Sequence, residues 1–146
     1  MDESRVYLDT SILIKRYVKE EGSDMADSYF RKAQRGETVI CLSEINLGEA
    51  TVVFDKYSRR MRIDANSRLQ TMLSELKSLE RSSSVEVYPV GSHLIRKAIK
   101  TVLEQHIYIL DAIQLETCIE AHGTVFCSAD KELNATAKRI GIETVL

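Results

Sequence analysis

The stretch Val6-Tyr7-Leu8-Asp9-Thr10-Ser11 decides the fold: an unbroken apolar and aromatic run that ends on an acid and two hydroxyls. A strand with one wet face alternates polar and apolar residues, whereas a strand covered on both faces does not. Residues 6–8 therefore read as a central strand of a parallel sheet, with Asp9 at its carboxyl end. Working outward, short β-branched runs recur at 38–42, 85–88, 124–127 and 143–146, and each reads as a further buried strand.

Segments with helical spacing lie between these runs, at 11–19, 23–34, 44–57, 64–79, 92–105, 110–121 and 131–140. Gly36, Gly123 and Gly141 follow three of them, where C-terminal caps belong. Strands alternating with helices imply an α/β class: a three-layer α/β/α sandwich with a central mainly parallel sheet and right-handed crossovers. The single proline, Pro89, and the short serine run at 81–84, read as a loop, offer no linker, so residues 1–146 are expected to form a single domain.

Composition narrows the function. With 20 Lys and Arg against 22 Asp and Glu, the formal net charge is -2, so no global positive field holds a polyanion and any nucleic acid must meet a local basic patch. Cys41, Cys118 and Cys127 are odd in number and set in apolar surroundings, which suits reduced core thiols. The acidic opening with Asp2 and Glu3 lacks the basic and long apolar regions of a secretory leader, and no run approaches membrane-spanning length, so a soluble, cytoplasmic protein is expected. His93, His106 and His122 stand on separate segments without the partner that acid–base catalysis needs. No zinc spacing, Gly-rich phosphate loop or serine nucleophile elbow is present. An aspartyl phosphotransferase would need a second Asp where Ser11 stands.

The acids carry the chemistry. Ligand sites in open α/β sheets collect beyond the carboxyl ends of the strands. Asp9 and Asp130 lie at two such ends, and Asp111 opens a helix amid Ile107, Ile109, Leu110, Ala112 and Ile113. Glu49 stands within a helix, with Ile45 four residues before it and Val52 and Val53 three and four after it. Each has a plainer reading: Asp9, Asp111 and Asp130 as helix caps, Glu49 as half of a buried ion pair. Several carboxylates in one pocket repel and resist ionisation, and a hard divalent cation, Mg2+ or Mn2+, relieves both costs.

Over nearly its whole length the chain resembles the PIN domains, especially VapC-type toxins. The resemblance rests on VYLDTSILIK, CLSEINLGEA, ILDAIQLETC and VFCSADKEL, in that order. It implies four catalytic and metal-binding acids, matched by Asp9, Glu49 rather than Glu44, Asp111 and Asp130, with Thr10, Ser11 and Ser128 at the small hydroxyl positions beside them. Ser128 stands where Thr is common in that family. The implied function is a Mg2+- or Mn2+-dependent ribonuclease that leaves a 5′-phosphate and a 3′-hydroxyl, the toxin of a toxin–antitoxin pair, with RNA as substrate, a small antitoxin as partner and a homodimer as the assembly. An RNA-processing nuclease without a toxin role and a non-catalytic metal- or RNA-binding module are the alternatives.

For RNA contact the sequence offers Lys56, Arg59, Arg60 and Arg62, with Lys15 and Arg16 as a smaller group. The apolar stripe through Leu69, Met72, Leu73, Leu76 and Leu79 marks either core packing or the region where the resembled toxins receive an antitoxin helix.

Overall fold

The computed structural model describes residues 4–146, so the reading of Asp2 and Glu3 lies outside the described residues. Strands β1 (Ser4–Leu8), β2 (Thr38–Ser43), β3 (Val85–Tyr88) and β4 (Val125–Cys127) form one sheet in the order β3-β2-β1-β4. Every pairing is parallel. Between β1 and β2 run α1 (Thr10–Leu13), a 3-10 turn at Ile14–Arg16 and α2 (Ser23–Gln34). α3 (Glu44–Arg60) and α4 (Ala65–Arg81) join β2 to β3, α5 (Ser92–Gln105) and α6 (Ile109–Glu120) join β3 to β4, and α7 (Lys131–Arg139) follows β4.

The alternation of side chains along β1 assigns the helices to two faces. Val6 and Leu8 pack with Ile12, Phe30, Ala50, Phe54, Met72 and Leu76, from the helices on one side. Tyr7 packs with Leu115, Cys118, Phe126, Leu133 and Ala137 on the other, its ring stacked 5.5 Å from that of Phe126. Leu94, Ala98, Ala112 and Ile113 seal α5 against α6.

This topology positions a crevice. From β1 the chain steps outward to β2 and β3, then returns to the other side of β1 for β4, so the connections diverge above β1 and β4. The Asp9 amide donates to the Cys127 carbonyl at 3.1 Å and fixes the two strand ends side by side.

Three local expectations change. The helix expected over 11–19 tightens after one turn, as Arg16 is drawn into ion pairs with Asp27 and Glu75 and the Tyr17 hydroxyl bonds Glu75. The fifth strand at 143–146 amounts to one parallel bridge, Phe126 to Thr144, at the edge beside β4. Gly36 and Gly141 take the left-handed conformation of helix caps, but after α6 it is His122 that does so, at φ 53°. Gly123 serves close approach instead, since a Cβ there would lie 2.6 Å from Cys118 Sγ.

The three thiols are free and buried, and burial pushes them up, to about 11 for Cys41 and about 12 for Cys118 and Cys127. They stay protonated at neutral pH and supply no thiolate nucleophile. Among the described residues no helix is long and apolar enough to cross a membrane.

Candidate active site at the carboxyl edge of the sheet

Asp9 is buried, 4% exposed, at the end of β1. It caps α1, as the plainer reading held, with Oδ1 accepting from the Ile12 amide at 3.2 Å and from the Ser11 hydroxyl. The Ser128 hydroxyl donates to Oδ2. Both oxygens of the carboxylate are thus engaged, Oδ1 by the start of α1 and Oδ2 by Ser128. Burial raises the Asp9 carboxyl above its ordinary range, while the bonds from Ser11, Ser128 and the Ile12 amide hold it back.

Asp130 likewise caps α7: Oδ1 accepts the amides of Glu132 and Leu133 at 2.9 and 3.2 Å. Its other oxygen accepts nothing from the described residues, so capping and ligand binding do not compete. Ser11 and Ser128 knit the two strand ends together, Ser11 accepting the Ala129 amide and Ser128 the Asp130 amide, each at 3.0 Å.

Asp111 is not a cap, because Tyr108 holds that position and Asp111 stands in the first turn of α6. Its carboxyl is raised first by burial and then by the charges of Asp130, Glu49 and Asp9. One half-buried group thus feels the other three acids, which arrive from β1, α3 and the cap of α7.

Glu49 corrects a detail of the sequence reading. The buried stripe of α3 runs through Asn46, Ala50 and Phe54, and Val52 is 66% exposed. Glu49 is half-buried on the flank of that stripe and forms no ion pair among the described residues. Thr10 Oγ1 donates to its Oε1 at 2.8 Å.

The residue that aims this pair escaped the sequence reading. Asn46 is fully buried, its Oδ1 accepting from Tyr7 Oη at 2.9 Å and the Ser43 amide at 2.7 Å. Its Nδ2 donates to Thr10 Oγ1 at 3.0 Å and to Gln114 Oε1 at 2.8 Å. All four bonds of the amide are made, so β1, β2, α1, α3 and α6 meet at one side chain. The signal was present in Ser43-Glu44-Ile45-Asn46, a capping-box spacing, and in Gln114, a lone amide among Ala112, Ile113 and Leu115.

The basic residues divide. Lys15 pairs with Glu20 at 3.1 Å, and Arg16 pairs with Asp27 and Glu75 and lies over the Phe30 ring, so the smaller group is tied up internally. Lys56, Arg59, Arg60 and Arg62 are exposed, and among the described residues only Arg59 of these has an acid partner, Asp55 at 3.2 Å. Arg60 lies about 16 Å down α3 from Glu49, from the rise of the helix. Met72, Leu76 and Leu79 of the α4 stripe are buried in the core, which settles the plainer reading for most of it. The three histidines are exposed, His93 and His106 at opposite ends of α5 and His122 after α6.

All four acids are hard oxygen donors, a set that suits Mg2+ or Mn2+ and not a soft ion. Among the described residues no three His, Cys, Asp or Glu side chains stand close enough to enclose a metal by themselves. Mg2+ does not require that, because it keeps several waters and takes one or two carboxylates with substrate oxygens. The residues present fit such an ion.

The fold winds in both directions from β1, and the acids lie on elements that meet at this switch point. A family model of the PIN domain matches residues 6–139, and the chain belongs to that family, one of nucleases. Solved structures share the fold. PAE2754 from Pyrobaculum aerophilum is 18% identical, with a TM-score of 0.67 over 97% of this chain and 84% of that one. VapC20 of Mycobacterium tuberculosis, named as a toxin that cleaves the sarcin-ricin loop, is 16% identical, with a TM-score of 0.64 over 89% and 93%. A chain of the FitAB assembly bound to a DNA fragment is 12% identical, with a TM-score of 0.64 over 95% and 92%. Comparison with curated proteins gives no match.

Proposed function

We propose that this chain is a divalent-metal-dependent ribonuclease and the toxin of a VapBC-type toxin–antitoxin pair. The observation that carries the reading is Asp111, a carboxyl raised by burial and by three other acids that come from three other elements. A structural ion pair would have brought a cation to it; the charges that shift it are all those of acids.

Asp9, Glu49, Asp111 and Asp130 are the residues that would hold Mg2+ or Mn2+. Bound there, the ion supplies a water of lowered pKa and offsets charge on the pentavalent phosphate. The chain's own part is positioning. Ser11 and Ser128 hold the Asp9 carboxylate in place through its two oxygens and oppose the upward pull of burial on its pKa. Thr10, itself held by Asn46, fixes the Glu49 carboxylate. The helix cap leaves one oxygen of Asp130 free, and Asp130 lines a cavity together with Asp111.

A partner is supported by a groove beside Glu49, lined by Ile14, Val52, Val53 and Leu110, and by the FitAB and VapC20 structural neighbours. An antitoxin segment seated there would control access to the acids. A homodimer and a cytoplasmic location complete the reading.

The experiment is cleavage of a mixed RNA pool by the wild type with Mn2+, with Mg2+ and with chelator, beside Asp9→Asn. Cleavage that needs the metal and disappears with Asp9→Asn is expected. Activity surviving both chelator and substitution would sink the proposal. Growth arrest on expression, relieved by co-expressing a neighbouring small gene, separates a toxin from an RNA-processing nuclease.

A further inference from the structure

Beyond the acids lies a cavity of about 500 Å³ that the carboxylates alone do not explain. Asp111 and Asp130 line one end. The chain leaving α5 through His106, in the left-handed region at φ 58°, carries Tyr108 to the rim, and Arg139 closes the other end. Long side chains on a helix lean toward its N-terminus, and Arg139 reaches back to Thr136. Its guanidinium therefore stands about 9 Å along α7 from Asp130, from the helical rise.

Arg139 is held by neutral groups. Its Nε donates to Gln105 Oε1 at 3.3 Å and its Nη2 to Thr136 Oγ1 at 2.8 Å. Among the described residues no carboxylate lies within ion-pair distance of it. Arg16, by contrast, is saturated by Asp27 and Glu75. Of the five N–H donors of a guanidinium, two are engaged and three remain, enough for a bidentate grip on a phosphate. Tyr108 is 66% exposed and stacks on no other aromatic ring among the described residues. An oriented, unneutralised arginine and a bare aromatic ring in the same cavity as the acids match the parts from which single-strand sites are built: a cation for the backbone and a ring for a base. Glu132 also lines the cavity, at the acid end beside Asp130, which leaves Arg139 as the place for an anion.

We propose that this cavity is the subsite for an unpaired nucleotide next to the scissile phosphate, with Arg139 taking the neighbouring phosphate and Tyr108 stacking on the base. The inference rests on the ribonuclease reading and adds to it the two side chains, Arg139 and Tyr108, that would hold the nucleotide beside the cut. A base inside a duplex has no free face to offer Tyr108.

Steady-state cleavage of a labelled single-stranded RNA and of the same sequence as a duplex, with Mn2+, tests it in the wild type, Arg139→Gln, Arg139→Lys and Tyr108→Ala. Arg35→Gln, which removes an equal charge just after α2 at the opposite edge of the sheet, is the control. Arg139→Gln and Tyr108→Ala should each raise KM for the single strand roughly tenfold and leave kcat within about twofold. Arg139→Gln should also lower the slope of affinity against salt by about 0.7, one single-strand phosphate contact. Arg139→Lys should recover part of the loss, Arg35→Gln should change nothing, and the wild type should prefer the single strand. A wild type that cleaves RNA while both variants keep its KM overturns the subsite and leaves the ribonuclease reading standing; a wild type that cleaves no RNA overturns both. If Arg139→Gln melts early, Tyr108→Ala decides alone, because its exposed ring supports little packing.

Discussion

Asn46→Ala is the substitution that the structure prices most clearly. It deletes two accepted and two donated hydrogen bonds at a fully buried position. Each such bond is worth about 1 kcal/mol net, and a buried partner left without one costs about 1–3 kcal/mol. Tyr7 Oη and Gln114 Oε1 are both buried, so their desolvation dominates. A water entering the vacated space would offset some of it, which leaves a loss of about 3–5 kcal/mol. That is a large part of the roughly 5–15 kcal/mol that holds a domain folded. For a chain of this length the melting temperature should fall by about 10–16 °C. Urea unfolding followed by circular dichroism reads it as a lower midpoint at unchanged slope. Cleavage at a temperature where the variant is folded should also fall, since Thr10 loses its buttress and Glu49 with it. A stability loss below about 1 kcal/mol would show that the four bonds are not the junction of the edge, and would refute the reasoning.

Two further predictions follow from the same geometry. Because Asp111 is raised by burial and by Asp130, Glu49 and Asp9, the folded chain holds its proton to higher pH than the unfolded chain, whose ordinary value is 3.8. The stability it contributes is full below that value and lost as pH rises through the folded one, so Asp111→Asn should raise the urea midpoint at pH 7, leave it unchanged near pH 3 and abolish cleavage; destabilisation at pH 7 would indicate a hidden cationic partner. At the end of α6, Gly123→Ala forces a Cβ against Cys118 and should cost about 1–3 kcal/mol, whereas His122→Gly relieves a left-handed residue and should stabilise by up to about 1 kcal/mol; calorimetric melting of the pair checks both signs.

Much of the fold was legible because burial on two faces leaves a mark that needs no partner to read: Val6 to Leu8 lacks alternation, and that made it central and parallel. The chain end fails the same test for a physical reason. Ile142 and Val145 are apolar enough for a strand, but one flank of that segment has no further strand to pair with, and only the bridge at Thr144 forms. Residues 11–19 carried a helical period, yet ion pairs from Arg16 to distant Asp27 and Glu75 reshape the turn, and such partners are invisible locally.

The candidate site shows the same division. Asp9 and Asp130 were readable as strand-end acids, and the structure shows that each also caps the helix that follows, through Oδ1 alone. Glu49 was singled out for a stripe that proved to be Asn46, Ala50 and Phe54, one residue round the helix. Asn46 itself, a polar residue that looked like a helix-start detail, emerges only when Tyr7, Thr10 and Gln114 are brought to it by three different elements. Long-range convergence of that kind is what a linear reading lacks.

The central claim is that these acids direct water, through a divalent ion, onto an RNA phosphodiester. The measurement that meets it head-on is the identity of the cut ends, taken on an oligonucleotide carrying a single 2′-deoxy residue at the scissile position and incubated with Mn2+. The account predicts that the deoxy substrate is still cut, that the products carry a 5′-phosphate and a 3′-hydroxyl, and that Asp9→Asn and chelator each stop the reaction. A 2′,3′-cyclic phosphate, or resistance of the deoxy substrate, would place the nucleophile on the ribose and contradict it.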